Sequence, residues 1–376
     1  MRRALVQVHL WLGLTVGLLW ALQGLTGAAL VFHREIDRWN GPAVTTGPMA
    51  SLDAIVARAE RTAGADVAVL GIVDGRADLL YAKYVDIAGE PRALLIDAAS
   101  GAIVGERERE PGSPLTGSAS RWLYTLHEGL LLGHDGEVLV GISGIILLTA
   151  LITGLWIAWP RRGAWKHVFA AGRSRTGSQR LFGWHRMAGL SVGFALLITV
   201  PCGIYMIFAA QIRPAVAAWV PHQLPAPLPP ATGPATVSPD RALAKARALF
   251  PDAGFVRLTL PTAQAHAFTI RLRQPQEIRA WSGVTSVAID AGSGRILNVY
   301  DPLNAPLSNR LADAAFSVHS GELTGLPGRI LLMLAGLSLP ALYVTGILAW
   351  LRKRRLRRRK TTEEAAFPSP LHARAE

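Results

Sequence analysis

Histidines are the side chains of this sequence best placed to do chemistry. His9 and His185 open two similar stretches, HLWLGLTVG and HRMAGLSVG, while His127 and His319 lie in LYTLHEG and FSVHSGE. Two imidazoles that face each other across a flat slot provide the axial ligands of a b-type haem. The matched positions therefore predict haem b as the cofactor, with two bis-histidine sites, or one haem if only one pair binds.

Glycines accompany the first two of these histidines. Small residues at positions i+4 and i+8 of a helix let a neighbouring helix approach closely. At that spacing they equally clear a flat slot beside the imidazole. Both histidines are followed by glycines at these two positions, namely Gly13, Gly17, Gly189 and Gly193.

His33 leaves the second ligand pair open. It follows His9 by a distance of about 36 Å along a helix, at about 1.5 Å per residue. This spacing places His33 at the membrane level of His127 and His319. An iron with two axial ligands takes only two of these three imidazoles, so His33 could pair with either of the others. His134 is a lower-ranked candidate.

Four stretches without Asp, Glu, Lys or Arg must position these histidines. Each is longer than the roughly 20 residues that cross a hydrocarbon core about 30 Å thick, and each is apolar all round. The stretches are Leu10–Phe32, Val138–Trp159, Met187–Ile212 and Ile330–Leu351. The sequence predicts an α-helical membrane protein with four transmembrane helices, the first of them too long for a signal peptide.

The net charge of +13 is concentrated at two places. The segment 160–186 contains seven basic residues and no acidic one, and the tail contains RKRRLRRRK. Lys and Arg collect on the cytoplasmic side of membrane helices. Both termini are therefore predicted to be cytoplasmic, with the two long segments outside. The basic residues are expected to contact the lipid bilayer, and nucleic acid is not expected as a partner.

The two halves of the chain match each other. At an offset of 176 residues His9 falls on His185, and at an offset of 192 residues His127 falls on His319. Glycines and a Thr-Gly pair match at the same offsets. Because both halves begin and return inside, the prediction is a parallel tandem repeat about an axis along the membrane normal.

Each half contains an outer segment with one capped helix and several strand-like runs. The pattern I-D-A-x-S-G, a tight turn between two edge strands, closes both segments. Two small α+β domains are therefore predicted. The predicted divisions are 1–36 (N-terminus and first span), 37–120 (first outer domain), 121–160 (histidine motif and second span), 161–183 (basic loop), 184–213 (third span), 214–239 (proline-rich linker), 240–310 (second outer domain), 311–351 (histidine motif and fourth span) and 352–376 (basic tail).

Two motifs carry a resemblance to a known family. The unit that ends in VAIDAGSGRIL looks like a PepSY domain. The helix motifs H-x3-G-L-[ST]-V-G and TGLWIAWPRR resemble the PepSY-associated transmembrane family. That family includes iron-regulated membrane proteins and ferrisiderophore reductases. The resemblance covers the chain to about residue 356.

The resemblance implies a haem-dependent oxidoreductase of the bacterial inner membrane, with both PepSY-like domains in the periplasm. Its acceptor would be ferric iron bound to a siderophore, reduced by outer-sphere electron transfer without an acid–base residue. A quinol or a cytoplasmic reductase would donate the electrons. Two other functions stay open: a non-enzymatic PepSY regulator or protease inhibitor anchored in the membrane, and a component of siderophore or iron transport.

Overall fold

The structure is a computed structural model that describes residues 2–108, 119–161, 163–169, 177–230 and 233–366. Parts of the predicted first outer domain, basic loop, linker and tail lie outside these ranges. The chain divides into two compact units. The helical unit contains Met1–Ala28, Leu139–Pro201 and Leu331–Glu376, and the sheet unit contains Ala29–Val138 and Cys202–Ile330.

The helices and strands follow one another in two similar series. The first series is α1 (Arg2–Thr15), α2 (Gly17–Leu30), α3 (His33–Asn40), α4 (Leu52–Ala63), β1 (Val67–Val73), β2 (Arg76–Val85), β3 (Pro91–Asp97), β4 (Ile103–Glu108), α5 (Ala119–Gly129) and α6 (Gly133–Ala158). After α7 (Trp165–Phe169), the second is α8 (Gly177–Ile207), α9 (Ala209–Ala217), α10 (Pro239–Leu249), β5 (Gly254–Thr259), β6 (Ala267–Arg273), β7 (Thr285–Asp290), β8 (Ile296–Tyr300), α11 (Leu307–His319), a 3-10 turn (Glu322–Thr324) and α12 (Leu326–Ala366).

Three helices in the described ranges are long and apolar enough to cross a membrane. The spans are Gly133–Ala158, Gln179–Ile207 and Leu326–Leu356. Large apolar side chains such as Ile142, Ile145 and Ile152 are exposed on them. Such continuous apolar surface is typical of lipid-facing helices and not of a soluble protein.

The first predicted span, Leu10–Phe32, is not one straight helix. It consists of α1 and α2, which meet at an angle of 64°, so a fourth span exists only if this bent pair counts as one. The break lies between Thr15, whose hydroxyl donates to the Trp11 carbonyl, and Gly17. The Tyr343 ring occupies the place of a Cβ at Gly17. The uncharged run showed the length of the apolar segment but not this bend, which depends on packing against α12.

Close backbone contact holds the helical unit together. A Cβ added at Gly336 of α12 would lie 2.7 Å from the carbonyl oxygen of Gly24 in α2. Four residues before Gly24 in α2, the Trp20 indole donates to the Ser143 carbonyl of α6 at 3.2 Å. Small residues that let backbones approach are the usual basis of helix association in membranes.

The eight strands of both outer segments form one antiparallel sheet in the order β4-β3-β2-β1-β5-β6-β7-β8. The segments meet at β1 and β5, where Leu70 pairs with Leu258 and Gly71 with Arg257. The two segments predicted as separate small domains therefore share a sheet. The I-D-A-x-S-G turns join β3 to β4 and β7 to β8, at its two edges.

Helices α4 and α10 share one apolar core with one face of this sheet. Leu52, Ile55, Leu258 and Ile270 are almost completely buried in it. Each helix begins at a serine cap, as predicted: Ser51 accepts from Ala54 and Ser238 from Arg241.

At each of the two helix N-termini, a backbone N–H donates to a carboxylate from the other helix. Asp240 of α10 accepts from the Leu52 backbone at 2.9 Å, and Asp53 of α4 accepts from the Asp240 backbone at 2.9 Å. Carboxylates near the positive ends of helix dipoles stabilise both helices.

Candidate functional site

The first imidazole pair, defined as His9 and His185, lies in the helical unit. His9 belongs to α1 and His185 to α8, and their ring centroids are 6.2 Å apart with an interplanar angle of 77°. The structure therefore brings together two histidines that are far apart in the sequence but equivalent under the 176-residue offset.

Helix carbonyls orient both rings of the first pair. Nδ1 of His9 lies 3.0 Å from the Ala150 oxygen of α6, and Nδ1 of His185 lies 3.0 Å from the Leu342 oxygen of α12. A carbonyl only accepts, so Nδ1 carries the proton in both rings and Nε2 keeps its lone pair. No hydrogen bond to either Nε2 is found within the described ranges. This tautomer, with a backbone acceptor at Nδ1, leaves the Nε2 lone pair as the atom that could bind a metal.

The four predicted slot glycines have different surroundings. Gly17 packs against Tyr343, and a Cβ at Gly193 would lie 2.7 Å from Leu155, so these two serve helix contacts. Gly13 has nothing within 4 Å of its Cβ position, and Gly189 has ordinary contact with a leucine methyl at 3.8 Å. Space beside the helix is therefore left at Gly13 and Gly189.

The glycines that contact the first pair lie on the facing helices. A Cβ at Gly154 of α6 would lie 2.8 Å from Cε1 of His9, and one at Gly346 of α12 would lie 3.4 Å from Cε1 of His185. The sequence shows the repeated Thr-Gly pairs that contain them, but not which histidines they contact. Their recurrence was the available signal.

The second imidazole pair, defined as His127 and His319, lies in the sheet unit. Its ring centroids are also 6.2 Å apart, with an interplanar angle of 48°. A Cβ at Gly203 would lie 2.8 Å from Cε1 of His319, the same kind of close glycine contact as in the first pair. These histidines lie on the short helices α5 and α11, and not on the membrane spans that follow.

Tight turns connect these short helices to the spans. Leu130 and Leu131 after α5 have φ of 54° and 62°, and Gly321 after α11 has φ of 76°. A left-handed backbone is costly for leucine and persists only where surrounding contacts enforce it.

Glycines close the two turns in the same way. A Cβ at Gly136 would clash with the Gly129 carbonyl, and one at Gly328 would clash with the Gly321 carbonyl. The two contacts are related by the 192-residue offset. Any side chain at these positions would push the turn away from the span.

His33 does not join the second pair. It begins α3, where its Nε2 lies 3.0 Å from Oδ2 of Asp74 and its Nδ1 lies 2.8 Å from the Leu30 oxygen. Burial lowers the pKa of His33, but the hydrogen bonds to Asp74 and to the Leu30 carbonyl outweigh it and hold the pKa above its ordinary value. Both ring nitrogens are engaged, so the imidazole has no lone pair directed at a metal.

His134 is also apart from both pairs. Its side chain is 82% exposed, and its Nδ1 lies 3.6 Å from Glu137 on the same helix. This is the ordinary environment of a surface histidine at a helix start.

A buried ion network borders the second pair. Arg34 is only 5% exposed and contacts Asp74 at 3.0 Å and Glu322 at 2.6 Å, three residues after His319. Its guanidinium also lies over the Trp281 ring at 5.2 Å. This network could not be recognised in the sequence because its members are distant in the chain.

The described residues contain no group of three or more His, Cys, Asp or Glu side chains arranged for a metal ion. The candidate site therefore consists of two-histidine pairs alone. Two axial imidazoles are a sufficient protein ligand set for a haem, whose ring supplies the other donors.

The apolar helices and their paired imidazoles define a helical membrane protein. The family comparison agrees: residues 6–353 match PepSY_TM, the PepSY-associated TM region. The chain belongs to this family. No curated protein matches it.

Proposed function

We propose that the protein is a b-type di-haem electron-transfer protein of the bacterial inner membrane that reduces an acceptor outside the cytoplasm. The observation that carries the proposal is the first imidazole pair, with ring centroids 6.2 Å apart and each ring held by a backbone carbonyl at Nδ1. The second pair repeats the ring separation.

The ring separations fit one iron between each pair. Metal–imidazole bonds are about 2 Å long, and the ring centre lies roughly 1 Å behind the bonded nitrogen. Two imidazoles that both bound one haem iron would therefore have centroids about 6 Å apart. Both observed separations are 6.2 Å. Direct edge contact of two histidines also falls in this range, so the Nδ1 acceptors are what favour a metal.

Bound haem b supplies one-electron chemistry. The residues of the chain hold and orient it. His9 and His185 provide the ligands of one site, and His127 and His319 those of the other. Gly154, Gly346 and Gly203 keep side chains away from the edges of the imidazoles.

The acceptor follows from the family resemblance and stays a proposal. It is ferric iron held by a siderophore, which takes one electron and becomes ferrous iron, with a quinol or a cytoplasmic reductase as the donor. Ferrous iron binds the hard oxygen ligands of the siderophore less tightly, so reduction releases the metal. No proton transfer by the protein is needed.

We further propose that the chain is a parallel tandem repeat with cytoplasmic termini and two periplasmic PepSY-like halves. Equivalent contacts in both halves support the repeat. His9 to Ala150 corresponds to His185 to Leu342 at the offsets read from the sequence. The clustered basic residues at 160–186 and in the tail support the orientation.

Absorption spectroscopy tests the proposal. The protein, purified in detergent from cells supplied with haem, should be red, with a Soret band that shifts on reduction by dithionite. Ferric chelate added to the reduced protein should restore the oxidised spectrum. A colourless preparation would contradict the function, whereas a red protein that ferric chelates do not oxidise would contradict only the acceptor.

A further inference from the structure

One face of the sheet carries a row of polar residues. Residues paired across the strands run Tyr81, Gly71, Arg257, Arg271, Ser286 and Tyr300. The adjacent row, Leu70, Leu258, Ile270 and Val287, is fully buried against α4 and α10. Since side chains alternate along a strand, the polar row lies on the face that these two helices leave uncovered.

Two arginines stand directly opposite each other in this row. Arg257 of β5 pairs with Arg271 of β6, and both are half-buried. Like charges directly opposite on neighbouring strands destabilise a sheet. Burial, with the charges of Arg257 and Arg279, lowers the pKa of Arg271 to about 10. The fold therefore keeps a cationic arrangement that costs it stability.

Three more arginines lie near this pair. Arg273 lies two residues after Arg271 on the same face of β6. Arg279 lies over the Phe316 ring at 4.9 Å. Arg213 donates a hydrogen bond from Nε to the Tyr205 hydroxyl at 3.0 Å. Nε of Arg273 and Nε of Arg279 are buried without a hydrogen-bond partner in the described ranges. A buried guanidinium donor without an acceptor in the protein can donate to a ligand or to water.

Nearby carboxylates do not neutralise the arginine cluster, defined as Arg213, Arg257, Arg271, Arg273 and Arg279. None of the five has an acidic side chain within salt-bridge distance in the described part of the chain. Glu277 is occupied by Thr285 and by backbone donors. Glu322 pairs with Arg34.

Asp313 is the remaining acid near the cluster. It accepts from the Tyr300 hydroxyl. Burial raises its pKa above the ordinary value even though Arg279, Arg213 and Arg271 oppose the shift. Glu277, Glu322 and Asp313 provide at most three negative charges against these five guanidinium groups and Arg34, so the face keeps a net positive charge.

We propose that the arginine cluster binds a ligand with several carboxylate groups. The planar fork of a guanidinium matches a carboxylate with two parallel hydrogen bonds, and several forks on one face match a polycarboxylate. The carboxylate site stands on the arginines alone. The assignment of its ligand as a carboxylate-type ferric chelate rests on the proposed function.

Two sources could supply these carboxylates. One is a free polycarboxylate, such as citrate with or without ferric iron. The other is the propionate groups of a haem bound by the second imidazole pair, because Arg279 contacts Phe316, one helical turn before His319. The experiment below separates them.

Calorimetric titration of the full-length protein in detergent with citrate, and then with ferric citrate, tests the proposal. The wild type should bind, and Arg271→Gln should weaken binding about tenfold or more, as expected for a lost charged hydrogen bond. Arg295→Gln, the same change at an exposed arginine in the β7–β8 turn, should not alter binding. The proposal would be overturned if the wild type did not bind citrate and Arg271→Gln kept its full haem content. It would also be overturned if Arg271→Gln bound citrate as tightly as the wild type. Inorganic phosphate binding as tightly as citrate would overturn the carboxylate assignment.

Two further readouts complete the test. Without citrate, Arg271→Gln should melt no lower than the wild type, because the repulsion from Arg257 is relieved; a clear loss of thermal stability would mean a structural role and would contradict the proposal. If the carboxylates are propionates, Arg271→Gln loses one haem and the wild type does not bind citrate. A colourless protein that binds citrate through Arg271 would refute the haem proposal but support the carboxylate site. A red protein that binds no citrate, and whose Arg271→Gln variant keeps all its haem, would refute the carboxylate site but support the haem proposal.

Discussion

The two imidazole pairs have equal ring separations but different surroundings. The first pair lies on apolar helices with carbonyls behind its rings. The second lies on short helices beside a charged network, in which Arg34 contacts Asp74 and Glu322, and beside the arginine cluster, whose Arg279 contacts Phe316. Equal spacing thus occurs in two electrostatic environments. Nearby cations favour the electron-rich state of a redox centre, so the second site should have the higher reduction potential.

Removal of one ligand from each pair tests this comparison most strongly. A redox titration of the wild type should show two steps. His319→Ala should lose the step of higher potential, and His9→Ala should lose the lower one.

The same titration on His134→Ala serves as the control, because that imidazole is exposed. Loss of the same step in both ligand variants would show that the four histidines do not form two sites.

Gly136→Ala should disturb the second pair alone. A Cβ there would clash with the Gly129 carbonyl at the end of α5, the helix that carries His127, so relief of the clash should displace that helix end. The cost should be about 3 kcal/mol, at the upper end for overpacking, measured as a lowered thermal midpoint.

Gly254→Ala is the matched control, since nothing lies within 4 Å of its Cβ position. A change in the spectral component that depends on His9 in Gly136→Ala would contradict the separation of the two sites.

Gly154→Ala should disturb the first pair, with a smaller effect. The new methyl would lie 2.8 Å from Cε1 of His9, and an imidazole can shift where a backbone cannot. We expect a shifted spectrum of the first component and a loss of about 1 kcal/mol.

Gly13→Ala tests the same helix pair without contact to the ring, because its Cβ position is open. It should shift the spectrum less than Gly154→Ala does, because the open space accepts a methyl group, and raise stability by up to about 1 kcal/mol through helix propensity. If Gly13→Ala and Gly154→Ala shifted the spectrum equally, the contact assigned to Gly154 would be wrong.

The outer strands were predictable because their signals are local. The strand-like runs expected in each outer segment are strands in the structure, and the capped helix expected in each begins at a serine. The pairing of β1 with β5 was not predictable, since it joins residues about half the chain apart.

The site was predictable to the extent that it repeats. Matched histidines indicated both pairs, but the choice among His33, His127 and His319 needed Asp74, which lies 41 positions beyond His33 in the sequence. The glycines facing the rings, Gly154 and Gly346, belong to helices other than those of the histidines they contact. Spacing along one helix cannot identify such residues.

His33→Gln should have the smallest effect, and it should depend on pH. Because the pKa of His33 is raised by folding, its stabilising contact with Asp74 is complete below the ordinary value of 6.5 and is lost as pH rises through the higher folded pKa. The variant should be less stable by about 1 kcal/mol near pH 6 and by less near pH 9.

Thermal melts at both pH values measure this difference. Both spectral components should persist in His33→Gln. Loss of the second spectral component would show that His33 is a haem ligand.

The haem content per chain shows whether each imidazole pair binds one haem. Pyridine haemochrome absorbance divided by protein concentration should give two haem b per chain for the wild type and for His33→Gln. It should give one for His9→Ala and one for His319→Ala. A ratio that stays unchanged when either pair is broken would contradict the account.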